Sequence, residues 1–151
     1  MKKIASFTVN HNTLKQGVYI SRIDGDAVTY DLRMKVPNGG DYITPKALHT
    51  IEHLLATYVR NSQFSDSIIY AGPMGCRTGF YLIVRENVTK KQILELLRNA
   101  FEFIADFTGV IPGSEKAECG NYLEHDLESA KKDARDYSEI LRNITEENMN
   151  Y

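Results

Sequence analysis

The pentapeptide His49-Thr50-Ile51-Glu52-His53 constrains this chain more than any other stretch. It falls inside a segment that reads as helix, with Thr44 as N-cap, Pro45 at the first helical position, and continuation from Lys46 to about Asn61. At roughly 100° per residue, His49 and His53 lie one turn apart, with Glu52 beside them. Two imidazoles at that spacing reach one metal ion, and the carboxylate reaches a group bound to it. Ala56 and Arg60 continue the same stripe, and the small Ala56 leaves room next to the ion. Leu48, Ile51, Leu54, Leu55, Tyr58 and Val59 form an apolar stripe roughly 140° away. One face of this helix is for a core and the other for chemistry.

A catalytic zinc-type site takes three protein ligands and keeps a position open, so a third ligand is required. Cys119, followed by Gly120 in a connection ahead of the last helix, is one choice; His125 and Glu118 are its rivals. Cys76 ends the turn Gly72-Pro73-Met74-Gly75, next to Arg77 and just before a strand. Glycine at 75 lets a substrate approach the backbone, and a neighbouring guanidinium favours the thiolate, a setting for a base or nucleophile. The alternatives for Cys76 are a metal ligand or an inert core thiol. A closed Cys₂His₂ site would use both cysteines, but it leaves Glu52 without a task.

Length and charge narrow the class. A chain of 151 residues is long enough for one domain with a real core, and residues 1–151 read as a single unit with no linker. With 18 basic and 20 acidic residues and no basic cluster, nothing points to nucleic acid. Lys2 and Lys3 precede only a short mixed segment, so neither a signal peptide nor a membrane span is expected, and the expected compartment is the cytoplasm. There, two cysteines speak for metal or catalysis rather than a disulfide.

Strands are predicted over Ser6–Asn10, Val18–Ile23, Ala27–Val36, Ser67–Ala71 and Gly79–Arg85, with Asp24-Gly25-Asp26 as a hairpin turn. Thr89 with Gln92 forms a capping box opening a helix that carries Ile93, Leu96, Leu97, Ala100, Phe101 and Ile104 at helical spacing. A last helix is predicted from about Asp126 to Asn143, with Leu127, Ala130, Ala134, Tyr137 and Leu141 on one face. This order gives an α+β, two-layer fold: a mostly antiparallel sheet packed against about three main helices.

Three motifs taken together resemble a known family. His49-Thr50-Ile51-Glu52-His53-Leu54-Leu55-Ala56, Pro73-Met74-Gly75-Cys76-Arg77-Thr78-Gly79-Phe80-Tyr81, and Cys119-Gly120 with His125-Asp126-Leu127 are similar to the S-ribosylhomocysteine lyase (LuxS) family. Ser6 to His11 and Asp31-Leu32-Arg33 resemble its amino-terminal segment and the strand bearing its substrate arginine. The resemblance implies that His49, His53 and Cys119 hold a divalent metal, ferrous iron natively, with zinc or cobalt able to substitute. It implies Glu52 and Cys76 as acid/base residues, and Ser6, His11 and Arg33 in a substrate pocket at a homodimer interface. The implied reaction cleaves S-ribosylhomocysteine to homocysteine and the precursor of autoinducer-2. The likeness lapses at Tyr70 and Gly72, where the family commonly carries Asp and Ser, and the segment between His11 and Arg33 is shorter than is typical.

Two other readings share the helix motif. H-x-x-E-H also marks inverzincin peptidases, where Glu52 would activate a zinc-bound water and Glu115, Glu118 or Glu124 would be the third ligand. A non-catalytic metal-binding or redox module would instead close the ion with four ligands, Cys76 among them.

Overall fold

The computed structural model describes residues 1–151, and in it the chain forms one four-stranded antiparallel sheet and three long helices. The strands are β1 (Gly17–Asp24), β2 (Ala27–Arg33), β3 (Ile68–Pro73) and β4 (Gly79–Arg85), in the spatial order β1-β2-β4-β3. The helices are α1 (Pro45–Arg60), α2 (Lys90–Asp106) and α3 (Leu127–Arg142). This is the two-layer α+β arrangement expected from the order of elements.

Strand period explains which face is covered. Val28, Tyr30 and Leu32 of β2 stand opposite Val84, Leu82 and Phe80 of β4, and all six are buried in the main core of 30 buried residues. The alternate residues Thr29, Asp31 and Arg33 pair with Ile83, Tyr81 and Gly79 on the other face. There Tyr70 is 51% exposed, and Ile4 and Phe7 are exposed nearby in sequence to Ser6. On the covered side, α1 packs against β3, α2 and α3.

Local signals set the helix ends. Thr44 accepts from the Ala47 amide ahead of Pro45 at the start of α1. Thr89 and Gln92 make both bonds of the capping box at α2. Asp126 accepts from the Ser129 amide at α3. Every apolar position anticipated on α2 is buried. On α1 and α3 the same holds except for Leu48, Tyr58 and Leu127, which are partly buried at the core edge.

One strand prediction fails. Ser6–Asn10 is not extended: Ala5–Phe7 is a 3₁₀ turn, with Ile4 and Ala5 carbonyls accepting from the Phe7 and Thr8 amides. The Thr8 hydroxyl also donates to Ala5 O, and the Asn10 side chain accepts from the Asn12 amide. Short polar side chains here bind their own backbone, an alternative to a sheet ladder that composition does not reveal. The strand expected to continue to Val36 ends at Arg33, where the Met34 and Lys35 amides both turn to the Thr78 carbonyl.

Candidate metal centre and active site

The two histidines of α1 are locked in one tautomer. His49 Nδ1 lies 2.7 Å from the Glu124 carbonyl and His53 Nδ1 lies 2.9 Å from the Pro112 carbonyl. A carbonyl only accepts, so each Nδ1 carries the proton and each Nε2 presents a lone pair. Both lone pairs face the Cys119 sulfur, at 3.3 Å from His49 Nε2 and 4.0 Å from His53 Nε2. Bond lengths of about 2.0–2.1 Å to nitrogen and about 2.3 Å to sulfur put tetrahedral donors roughly 3.5 Å apart. The observed separations bracket that value, so these three residues fit one ion.

His125 joins the same cluster: its ligand atom and those of His49, His53 and Cys119 all lie within 4.8 Å of one another. Its ring, however, stacks on His49, with centroids 4.0 Å apart and planes only 18° from parallel. An ion bound by an imidazole sits about 2.0–2.1 Å from nitrogen, close to the ring plane. Two stacked planes meet nowhere near that point, so in this pose His125 would pack beside an ion held by His49 rather than close its coordination. Thr50 Oγ1 accepts from the Asp126 amide (3.0 Å) and donates to the Lys46 carbonyl (3.1 Å), so His125 Nδ1, 3.0 Å away, is left as the donor to it. His125 Nε2 is then a buried lone pair with no protein partner. Burial, and next the two neighbouring histidines, hold the His125 pKa below the ordinary histidine value.

The carboxylates proposed as third ligands point elsewhere. Glu118 accepts from the Glu115 amide and Glu124 from the Asn121 side chain, and no glutamate belongs to the cluster. The peptidase reading therefore lacks its ligand. Cys76 is also outside the cluster, which removes the closed site that needed it.

Around Cys76 the surroundings differ from those expected of the sequence. The Arg77 guanidinium donates to the Ile43 carbonyl at 3.2 Å and lies over the Tyr42 ring instead of serving the thiol. Arg77 itself takes φ 60°, a left-handed conformation uncommon for its type, at the turn that presents Cys76. The guanidinium near the sulfur belongs to Arg33. Arg33 is buried in a two-pronged pair with Asp31 (3.1 and 2.6 Å) and donates to Thr78 Oγ1 at 2.7 Å; that hydroxyl lies 3.0 Å from Cys76 Sγ. Burial works against the Arg33 charge, but Asp31 outweighs it and the pKa stays above the usual arginine value. Tyr151 donates to Asp31 Oδ2 at 2.6 Å; its burial and then that bond push the phenol pKa up. Sequence reasoning missed Asp31, Thr78 and Tyr151 as parts of this site, because only tertiary contacts bring the end of β2, the turn before β4 and Tyr151 together.

The residues named from sequence line four clefts, one of which, of about 270 Å³, takes His53 and Glu52 beside Pro112 and Gly113. His49 and Glu52 line a second of about 410 Å³, bordered by Pro73, Gly75 and Arg77. His11, Arg33, Cys76 and Thr78 line a third of about 220 Å³. Ser6 lines a fourth of about 250 Å³, with Tyr70, Tyr81 and Ile83 on the open sheet face. The turn at Gly75-Cys76 thus borders the Glu52 cleft on one side and the Arg33 cleft on the other. The two departures from the family likeness touch each other: in the rotamer it adopts, the half-exposed Tyr70 lays its hydroxyl where a side chain at position 72 would begin.

Comparison with known proteins agrees with this geometry. Residues 4–148 match the family model described as S-Ribosylhomocysteinase (LuxS). The chain is 49% identical to a protein of Clostridium acetobutylicum named S-ribosylhomocysteine lyase, over 100% of this chain and 99% of that protein. It is 48% identical to one of the same name from Phocaeicola vulgatus, over 100% and 98%, and 49% identical to one from Porphyromonas gingivalis, over 100% and 99%. This chain belongs to the S-ribosylhomocysteinase (LuxS) family.

Proposed function

We propose that this protein is an S-ribosylhomocysteine lyase, a carbon–sulfur lyase that releases homocysteine and leaves 4,5-dihydroxy-2,3-pentanedione, the autoinducer-2 precursor. The observation that carries the reading is the convergence of two imidazole lone pairs and a thiol next to Glu52, in a chain of this family. His49, His53 and Cys119 are the proposed ligands of one divalent ion. A bound ion supplies Lewis acidity toward the sugar oxygens. Ferrous iron is the ion proposed, with zinc or cobalt able to take its place in the same nitrogen and sulfur donor set.

The substrate chemistry assigns work to the side chains. The sugar aldehyde is at carbon 1 and the thioether at carbon 5, so the carbonyl has to reach carbon 3 before the carbon 4 proton is acidic. Two proton transfers between neighbouring carbons achieve this, and Cys76 is the proposed carrier of those carbon-bound protons. Glu52 moves protons between oxygens and then takes the proton from carbon 4. The electron pair of that C–H bond forms the carbon 4–carbon 5 double bond, and the carbon 5–sulfur bond breaks. The sulfur takes up a proton to leave as homocysteine, and the enol at carbon 4 ketonises by losing its hydroxyl proton and gaining one at carbon 5. Ser6, His11 and Arg33 are the proposed substrate-binding residues; His11 and Arg33 share the Cys76 cleft.

A homodimer with the active site at its interface completes the reading. Its support is the exposed apolar surface of Ile4, Phe7 and Tyr70 beside the Ser6 cleft, together with the partition of Glu52 and Cys76 between clefts. Residues 1–151 act as one domain, supported by the shared core. The proposed compartment is the cytoplasm, supported by two free cysteines; no helix is long and apolar enough to cross a membrane. The experiment is to incubate iron-loaded protein with S-ribosylhomocysteine and titrate free thiol. Thiol release over many turnovers is expected, and none at all from metal-replete protein would overturn the reading.

A further inference from the structure

We propose that Thr78 is the positioning residue for Cys76, its hydroxyl proton directed onto the sulfur by Arg33. A guanidinium has donors and no acceptor, so the 2.7 Å contact between Arg33 Nη1 and Thr78 Oγ1 makes the threonine oxygen the acceptor. The other contact of that hydroxyl is Cys76 Sγ at 3.0 Å, and a thiolate sulfur has no proton to give, so toward the ionised sulfur the threonine is the donor. The guanidinium is held from behind as well. Asp31 grips two other nitrogens of Arg33, and Tyr151 donates to Asp31, so the guanidinium cannot turn away. Asp31, Arg33 and Thr78 are 0%, 3% and 2% exposed, which shields these bonds from competing water, whereas Cys76 is exposed and open to reagents.

An O–H donor on sulfur favours the thiolate over the thiol. The other ionisable groups near the sulfur are Arg33 and Asp31 from β2, Tyr81 from β4, and Tyr151 with its bond to Asp31; His11 and Tyr42 line the cleft from the segments before β1 and α1. None of these is removed by changing Thr78, so the threonine contribution is separable. The inference rests on the reading of Cys76 as a proton carrier only for its effect on turnover.

The test measures alkylation of Cys76 by iodoacetamide across pH in metal-replete protein, with the modified residue identified by peptide mapping. In Thr78→Val the rate near neutrality should fall about tenfold, as expected for losing a hydrogen bond to a charged group. Its rate–pH profile should move to higher pH, and the rates should converge once the thiol is fully ionised. Thr78→Ser keeps the hydroxyl and should stay within about twofold of wild type, since the methyl makes no part of the argument. Circular dichroism and metal content check that the valine variant is folded. Wild-type alkylation by a folded Thr78→Val, or a serine variant as slow as the valine one, would overturn the proposal. In Thr78→Val, kcat should fall with KM little changed. If alkylation shifts but Cys76→Ala keeps full turnover, the thiol assignment fails and the threonine–sulfur coupling stands.

Discussion

At the scale of single residues, the site separates the groups proposed to hold an ion from the groups that hold those groups. His49 and His53 are each pinned through Nδ1 by a backbone carbonyl from the loops preceding α3. Such outer contacts set ring orientation and ligand basicity. His125 adds a stacked ring against His49, a pose that would not bring it a bond to an ion held there. His125→Ala should therefore weaken metal affinity about 10–100-fold while the saturated protein still binds one ion. The visible spectrum of its cobalt form should match wild type; loss of a nitrogen donor from that spectrum would make His125 a ligand. Cys76→Ala should abolish thiol release with the metal retained, because Cys76 stands outside the cluster. Glu52→Gln should likewise keep its metal and block thiol release. Metal loss in the first variant, or substantial turnover in the second, would reassign the residue concerned.

At the scale of elements, α1 and the connection leading into α3 build the centre jointly, and Thr50 and Asp126 are where they meet. Thr50 is buried on α1, accepts from the Asp126 amide and receives the His125 proton, so the α3 N-terminus is fixed against the metal helix. Asp126 also caps α3; the Ser129 amide, then the Ser129 hydroxyl, hold its carboxyl pKa below the usual aspartate value. A folded-state pKa below the unfolded one means the stabilisation is full above the unfolded value, near 4, and is lost as pH falls through the lower folded value. Asp126→Ala should cost about 1 kcal/mol at pH 7, and the difference should shrink in acid. Urea titrations of both proteins at neutral and acidic pH read this directly; an undiminished difference in acid would show that the carboxylate charge is not what stabilises the cap. In the sheet, Gly79 allows β4 to approach β2, since a side chain there would run into the Leu32 carbonyl. That close approach carries the chain past Thr78, whose carbonyl takes the Met34 and Lys35 amides.

At the scale of the whole molecule, the proposed roles have Glu52 and Cys76 serving one substrate from opposite sides of the Gly75-Cys76 turn. A pair of chains joined across the open sheet face allows this if each contributes one of the two residues to a shared site. Mixing Glu52→Gln with Cys76→Ala subunits, each inactive alone, then rebuilds one intact site in every mixed dimer. Random reassociation should restore about a quarter of wild-type activity. No recovery from a mixture shown to contain mixed dimers would mean that one chain supplies both residues.

Much of this protein is written locally in its sequence. Helix period, the Thr89 capping box and strand alternation act over a few residues, so the sheet, the three helices and most of their buried faces follow from spacing. The His49-Glu52-His53 triplet is legible for the same reason, since one turn of α1 sets its geometry without help from the rest of the fold. The Ser6–Asn10 segment misleads because side-chain bonds to its own backbone compete with a ladder, and residue type alone does not say which wins. Tertiary structure alone decided that Cys119 and not a glutamate meets the histidines, that His125 stacks on His49, and that Arg33 rather than Arg77 stands behind Cys76. Each of these depends on where loops distant in sequence come to rest, and that is set by burial summed over the entire core rather than by any short run of residues.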